Sequence, residues 1–362
     1  MKESRKLDYI DAIRGIAILM VILVHTFQTG ANYYNEFTSL FIGQGARGVQ
    51  LFFIASAFTL MLSYTYRSKN ELYVVKNFLI RRFFRIAPLY YLGIIYFLFQ
   101  NGFGPRYWLG DASSITVYNI ISNFTFTHGF NPYWVTSLVP GGWSITVEMS
   151  FYLIFPLLFK LIKNFTEAIN YVLITLFVSF ALNHYLKSNI LITDVNLWND
   201  YLFFYLPNQL PVFGLGIVSF FVIIKKEFNF SKINILGVVV LLIFLCFNLD
   251  LIPFHFLISL LLLGFLIIMS KGYLNFLINK VICYIGKVSY SAYLVHFAVL
   301  YWLERIDFIN YFEINTLEKS LINLFLKFTI VVVITTIVST FTHKTIELPF
   351  QKLGKKLINN AI

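Results

Sequence analysis

Arg14 and His25 stand eleven positions apart in the stretch LDYIDAIRGIAILMVILVHTFQTG, Leu7 to Gly30. At 100° per residue those steps return both side chains to nearly one helix face, separated by roughly 16 Å along the axis. A guanidinium suits a phosphate and an imidazole suits proton transfer, so the face would carry an anion site at one end and a base at the other. The plain alternative makes Arg14 a boundary anchor, with Asp11 one turn before it, and His25 an interfacial residue. On this stretch alone the two readings stand level.

Four further patches carry residues of the same kind. In KNFLIRRFFRIAP, Arg81, Arg82 and Arg85 precede Pro88. Arg82 and Arg85 are neighbours on one helical face and fit either phosphate binding or simple membrane anchoring. In GARGVQLFFIASAFTL, Arg47 stands among glycines with Gln50 nearly a turn later. A structural salt bridge and a substrate contact suit Arg47 equally, and Ser56 reads as a small packing residue. In VPGGWSITVEMSFYLIFP, Pro140, Gly141 and Gly142 break the chain, Ser144 is placed to cap the next helix, and Glu148 and Tyr152 follow at one-turn intervals. Glu148 could merely complement the helix dipole, but a carboxylate inside an apolar span is costly unless paired, which favours function. In VSYSAYLVHFAVLY, His296 lies near mid-span beside Tyr290 and Tyr293, with packing and function equally open. His184 and His255 have no companions in sequence and read as structural. The six histidines show no ligand spacing, so no metal site is expected.

The elements that must position these groups are membrane helices. The chain is 58% hydrophobic and 12% charged, with 41 Phe, 23 Tyr and a mean hydropathy of +0.74. A soluble chain of this length could not cover such a surface. The fold expected is all-α, a polytopic membrane protein with about ten spans, near 12–30, 48–66, 87–100, 144–162, 168–186, 203–224, 234–250, 254–270, 288–303 and 320–342. The third is short, and the close pair around Asp250 to Pro253 could be a hairpin that does not fully cross. With the amino terminus inside, the 28 Lys and Arg divide 22 inside to 6 outside, so both termini are predicted to be cytoplasmic. That topology also accounts for the net charge of +11, which in a soluble protein would suggest nucleic acid. His25 and Glu148 then lie at similar depth near the outer face, where the carboxylate could orient the imidazole or raise its basicity. The longest outer segment, Gln100 to Trp143, carries Trp108, His128 and Trp134, and Val117 to His128 could form an amphipathic interfacial helix. Cys246 and Cys283 form no CxxC pair and read as core residues. One membrane domain over 1–362, with no appended soluble domain, is expected.

Taken together, Arg14 and His25 with ten residues between them, GVxLFFxxSxF, RRxxRIxPxYY, WSxxxExxFYxxFP, SYxxYLxH and a closing ExPF resemble acyltransferase family 3, the integral-membrane O-acyltransferases. The resemblance runs from Arg14 to Phe350, with its six patches in the family's order. Gln50 stands where many members have an acidic residue, and Ala57 where they have Gly, which touches acceptor identity more than the reaction. The resemblance implies a multi-pass protein of the cytoplasmic (inner) membrane. It would move an acyl group, most often acetyl, from cytoplasmic acyl-coenzyme A to a hydroxyl of an extracytoplasmic or lipid-linked carbohydrate. Arg82 and Arg85, with Arg14, would hold the coenzyme phosphates. His25 would serve as general base or briefly carry the acyl group, and Glu148 would orient it. Arg47, Gln50, Ser144, Tyr152 and His296 would face the acceptor. Many members carry an extra extracytoplasmic domain; this chain has no room for one, so it either transfers directly or relies on a separate transfer protein or polysaccharide synthase. The competing reading from another class is a transporter or flippase for a lipid-linked sugar or acylated intermediate.

Overall fold

The computed structural model describes residues 8–30, 33–110, 112–228, 253–311 and 314–359. Among them there is no strand, and seven helical stretches are long and apolar enough to cross a membrane: Asp8–Phe27, Glu36–Arg67, Val74–Asn101, Gly142–Leu161, Phe165–Ser188, Val195–Lys225 and Leu317–Asn359. The protein is therefore an all-helical, multi-pass membrane protein. The span expected over 234–250 and the hairpin around Asp250 lie outside the described residues. The chain divides into two compact units, one of residues 1–55 and 268–348, the other of 56–267 and 349–362.

The first unit is built around α1 (Asp8–Phe27). Against it pack α2 (Glu36–Gly43), a 3-10 turn (Gln44–Arg47), α11 (Lys280–Lys287), α12 (Ser289–Arg305) and α13 (Leu317–Thr342). Backbones touch where the sequence supplies glycine: a Cβ on Gly286 would overlap the Asp11 carbonyl, one on Gly15 the Ile282 carbonyl, and one on Gly48 the Ala17 carbonyl. Small residues are the common way for helices to approach closely in lipid, where van der Waals packing replaces the hydrophobic drive.

The second unit holds α4 (Val74–Asn101), α5 (Val117–Phe124), α6 (Gly142–Leu161), α7 (Phe165–Ser188), α8 (Val195–Phe204), α9 (Leu206–Phe220) and α10 (Phe254–Ser270). Helix α3 (Gly48–Arg67) spans the division, and α14 (Leu348–Asn359) follows α13. Stacked aromatics fill this core, with Phe151 and Phe213 at 3.9 Å and Phe78 and Phe155 at 5.4 Å between ring centres.

Three local expectations are corrected. The third span is not short: α4 begins at Val74 and runs through Pro88, so the arginine run lies inside the helix rather than ahead of it. Proline removes one hydrogen bond, which a span supported by neighbours tolerates. The amphipathic segment stops at Phe124, and a Thr116–Asn119 capping box sets its start. Ser144 does not cap α6. Gly141, at φ 71°, takes that position, and the Ser144 hydroxyl donates to the Gly141 carbonyl from inside the first turn. Only glycine adopts that backbone without strain.

Candidate active site

In the first unit the described partner of His25 is His296. His25 Nδ1 and His296 Nε2 are 2.9 Å apart, and Phe297 covers the His25 ring at 4.5 Å between centres. The hydrogen bonds fix the tautomers. His296 Nδ1 lies 3.0 Å from the Ala292 carbonyl, which can only accept, so this nitrogen carries a proton. In a neutral His296 the Nε2 atom is then the acceptor, and His25 Nδ1 must donate to it. His25 Nε2 is left as the basic nitrogen of a neutral imidazole, the form a general base requires. His296 is fully buried, and its bond to His25 sets the tautomer and ring orientation of that imidazole, as a carboxylate would.

The ends of these helices are fastened by groups that sequence reasoning misses. Lys327 on α13, which the charge count places on the outer side, is buried and donates from Nζ to the Thr29 carbonyl at 2.6 Å; the Thr29 hydroxyl in turn donates to the His25 carbonyl at 2.8 Å. An ammonium at the carbonyl end of α1 also complements its dipole. The closing ExPF segment makes a comparable tie. Its buried Glu347 accepts from the hydroxyl of Ser291, joining the π-helical turn His343–Glu347 after α13 to the first turn of α12, the helix that carries His296. Toward the other end of α1, Arg14 Nη1 lies 3.9 Å from Asp11 Oδ1. Arg47 closes the 3-10 turn and Gln50 is buried in the first turn of α3, close to glycines that pack on α1.

The second unit gathers the other group. Glu148 Oε1 accepts from the Ser56 hydroxyl at 2.8 Å and from the hydroxyl of Tyr152, one turn along α6. The Arg82 guanidinium lies 5.6 Å over the Tyr152 ring and 5.5 Å over Phe78, within electrostatic reach of Glu148 and Arg85. Ser56 is thus a ligand of the carboxylate rather than a packing residue, and Tyr152 commits its hydroxyl to Glu148. Arg82 stands eight residues into α4, roughly 12 Å from the helix start. Arg81 turns away: it forms a two-pronged pair with Glu71, both bonds 3.0 Å, and Arg67 adds a third at 2.8 Å. Burial alone would raise the Glu71 pKa, but the hydrogen bonds from Arg67 and Arg81 outweigh it and hold the carboxylate below its ordinary value.

The start of α6 is held by His128. Its Nε2 lies 2.7 Å from the Thr146 hydroxyl, 3.0 Å from the Gly142 carbonyl and 3.1 Å from the Tyr90 hydroxyl. Burial lowers its pKa to about 4 against the opposing pull of the Gly142 and Ser122 carbonyls, so the imidazole is neutral at pH 7.

If His296 sets the His25 tautomer, its loss acts on turnover. His296→Phe, which removes the acceptor, is expected to lower kcat about 100-fold with KM nearly unchanged, and His296→Gln, whose carbonyl oxygen can accept, about tenfold. Steady-state kinetics on the two variants checks the order. Equal losses, or a change confined to KM, would count against this role.

These helices define a multi-span membrane protein whose first unit holds a hydrogen-bonded histidine pair and whose second holds a carboxylate that accepts from two hydroxyls. A family model described as an acyltransferase domain matches residues 7–344, and the chain belongs to acyltransferase family 3, an enzyme family. The chain is 30% identical over 177 residues to the peptidoglycan O-acetyltransferase OatA of Listeria monocytogenes, covering 45% of this chain and 26% of that protein. It is 24% identical over 385 aligned positions to the O-acetyltransferase OatA of Staphylococcus aureus, covering 98% and 59%. It is also 26% identical over 188 residues to the regulator of hypoxia-inducible factor 1 of Caenorhabditis elegans, covering 46% and 36%. The chain thus spans at most about three fifths of these relatives. No solved structure matches it.

Proposed function

We propose that the protein is an O-acetyltransferase of the cytoplasmic membrane, with both termini inside, that uses acetyl-coenzyme A or another acyl-coenzyme A as donor and a carbohydrate hydroxyl as acceptor. The names of the OatA relatives support acetyl as the group and peptidoglycan as one acceptor of this class. The observation that carries the reading is the tautomer lock on His25, which keeps Nε2 as a proton acceptor. In the proposed step Nε2 takes the proton of the acceptor hydroxyl while its oxygen attacks the thioester carbonyl. The C–S bond then breaks, and the coenzyme thiolate recovers the proton from His25. Arg14 heads the face of α1 that leads to His25 and is assigned to the donor's phosphates, and the roughly 16 Å between them suits an extended pantetheine arm. Arg82 and Arg85 are assigned to the donor by charge, with Arg82 also balancing Glu148. Arg47 and Gln50 remain the acceptor-side candidates of the first unit, Ser144 that of the second. The product leaves on a lipid-linked or polymeric glycan, directly or through a separate transfer protein or polysaccharide synthase.

Coenzyme A binding separates this reading from transport of a lipid-linked sugar. Isothermal titration of the detergent-purified full chain with coenzyme A is expected to give saturable binding that weakens about tenfold in Arg14→Met. Absence of binding to the wild type would favour the transporter.

A further inference from the structure

A cavity of about 300 Å³ opens in the second unit, and none of the residues discussed as catalytic lines it. One wall is a face of α7 with Phe180, Asn183, His184 and Lys187 at helical spacing; the facing wall is α8 with Asn199 and Phe203. Its floor is already saturated. Asn208 Oδ1 accepts from Ser179 at 3.0 Å and from Asn183 Nδ2 at 3.1 Å, its own Nδ2 donates to the Phe203 carbonyl at 3.0 Å, and His255 Nε2 donates to the Asn208 carbonyl at 3.1 Å. The walls are different: Asn183 Oδ1 is buried yet accepts no hydrogen bond among the described residues. A buried acceptor left open costs free energy that a bound donor would recover.

The lining narrows the occupant. Asn183 and Asn199 offer amides, Phe180 and Phe203 offer apolar faces, Lys187 supplies a cation, and among the described residues no carboxylate lines the space. Adjacent hydroxyls on a ring with an apolar face meet such amides and aromatics, and a negative substituent meets the ammonium. The volume stands at the lower end of the ~300–1,000 Å³ usual for ligand pockets, enough for one sugar ring rather than a chain. The position fits as well, because Phe203 lies 6.3 Å from Trp143 in the first turn of α6, and Glu148 follows five residues, roughly 7.5 Å of rise, further on.

We infer that this cavity is a saccharide subsite for an acidic sugar, a ring bearing a carboxylate or phosphate, on the acceptor's path to α6. That the occupant is the acceptor rests on the acyl-transfer reading; that an acidic sugar binds does not. The test is saturation-transfer difference NMR on the full chain in detergent, with methyl glucuronoside as probe, methyl glucoside as its neutral counterpart and glycerol 3-phosphate as a lipid-headgroup competitor. The glucuronoside is expected to take up saturation at least about fivefold more strongly than the glucoside. Asn183→Ala and Lys187→Met should each reduce it about fivefold, the loss of one hydrogen bond or one charge contact. Lys187 is exposed, so its replacement does not threaten the fold. No transfer to the glucuronoside, undiminished transfer in both variants, or displacement by glycerol 3-phosphate would overturn the subsite. Thioester cleavage by the same wild-type preparation is read separately. Its absence would remove the acyl-transfer reading and leave the binding result standing.

Discussion

His25→Ala is expected to lower acyl transfer about a thousandfold, the usual worth of a positioned general base, while the protein still folds and still binds coenzyme A. Truncation also leaves His296 Nε2 without its donor, at a cost of about 1–3 kcal/mol, so its melting temperature should fall by several degrees. His25→Asn provides the control, because its amide can donate to His296 Nε2 but cannot accept a proton at neutral pH. It should melt closer to the wild type and be equally inactive. If the asparagine variant retained activity, the proton-transfer role would be excluded whatever the stabilities.

The second large effect is expected at Glu148, and it should appear first as stability. Its carboxylate receives two hydroxyls and faces the half-buried Arg82 guanidinium. Glu148→Ala would leave that cation uncompensated among apolar rings, a loss of about 3–5 kcal/mol, comparable to much of a protein's whole stability. Glu148→Gln keeps an oxygen for Ser56 and Tyr152 but removes the charge. The double replacement Glu148→Gln with Arg82→Met removes both charges together and should recover stability lost by either change alone, without recovering activity. Fluorescence-detected size-exclusion melting of the wild type, the two single variants and the double variant measures the coupling. Strictly additive effects would mean that the two charges do not act as a pair.

The legible part of this molecule is the part written in local composition. Apolar length places α1, α3, α6 and α7 near their observed bounds, and the glycines before α6 mark its start. Helix α4 is longer than its apolar run because its arginines have tertiary partners that let the helix continue through them: Arg81 pairs with Glu71, and Arg82 lies against ring faces and near Glu148. Charges satisfied by tertiary partners do not mark a helix end, and the sequence alone does not say which charges are satisfied. The His25–His296 bond joins residues 271 positions apart; only the mid-span location of His296 hints at it. The charge-based topology sets Glu148 at the expected depth of His25, but depth does not name a partner, and the described partners of Glu148 are Ser56 and Tyr152. His184 and His255 lack companions in the sequence, and folding brings both to one cavity. The hydroxyl of Ser56 looks like packing because small polar residues in spans usually are.

The most direct test of the central claim is thioester cleavage by the detergent-purified protein, with acetyl- and succinyl-coenzyme A and a glycan acceptor, comparing wild type with His25→Asn. The account predicts release of free coenzyme A and an acylated hydroxyl by the wild type, at a rate at least about a hundredfold above the variant. Equal rates in the two proteins would contradict a catalytic role for the His25 imidazole.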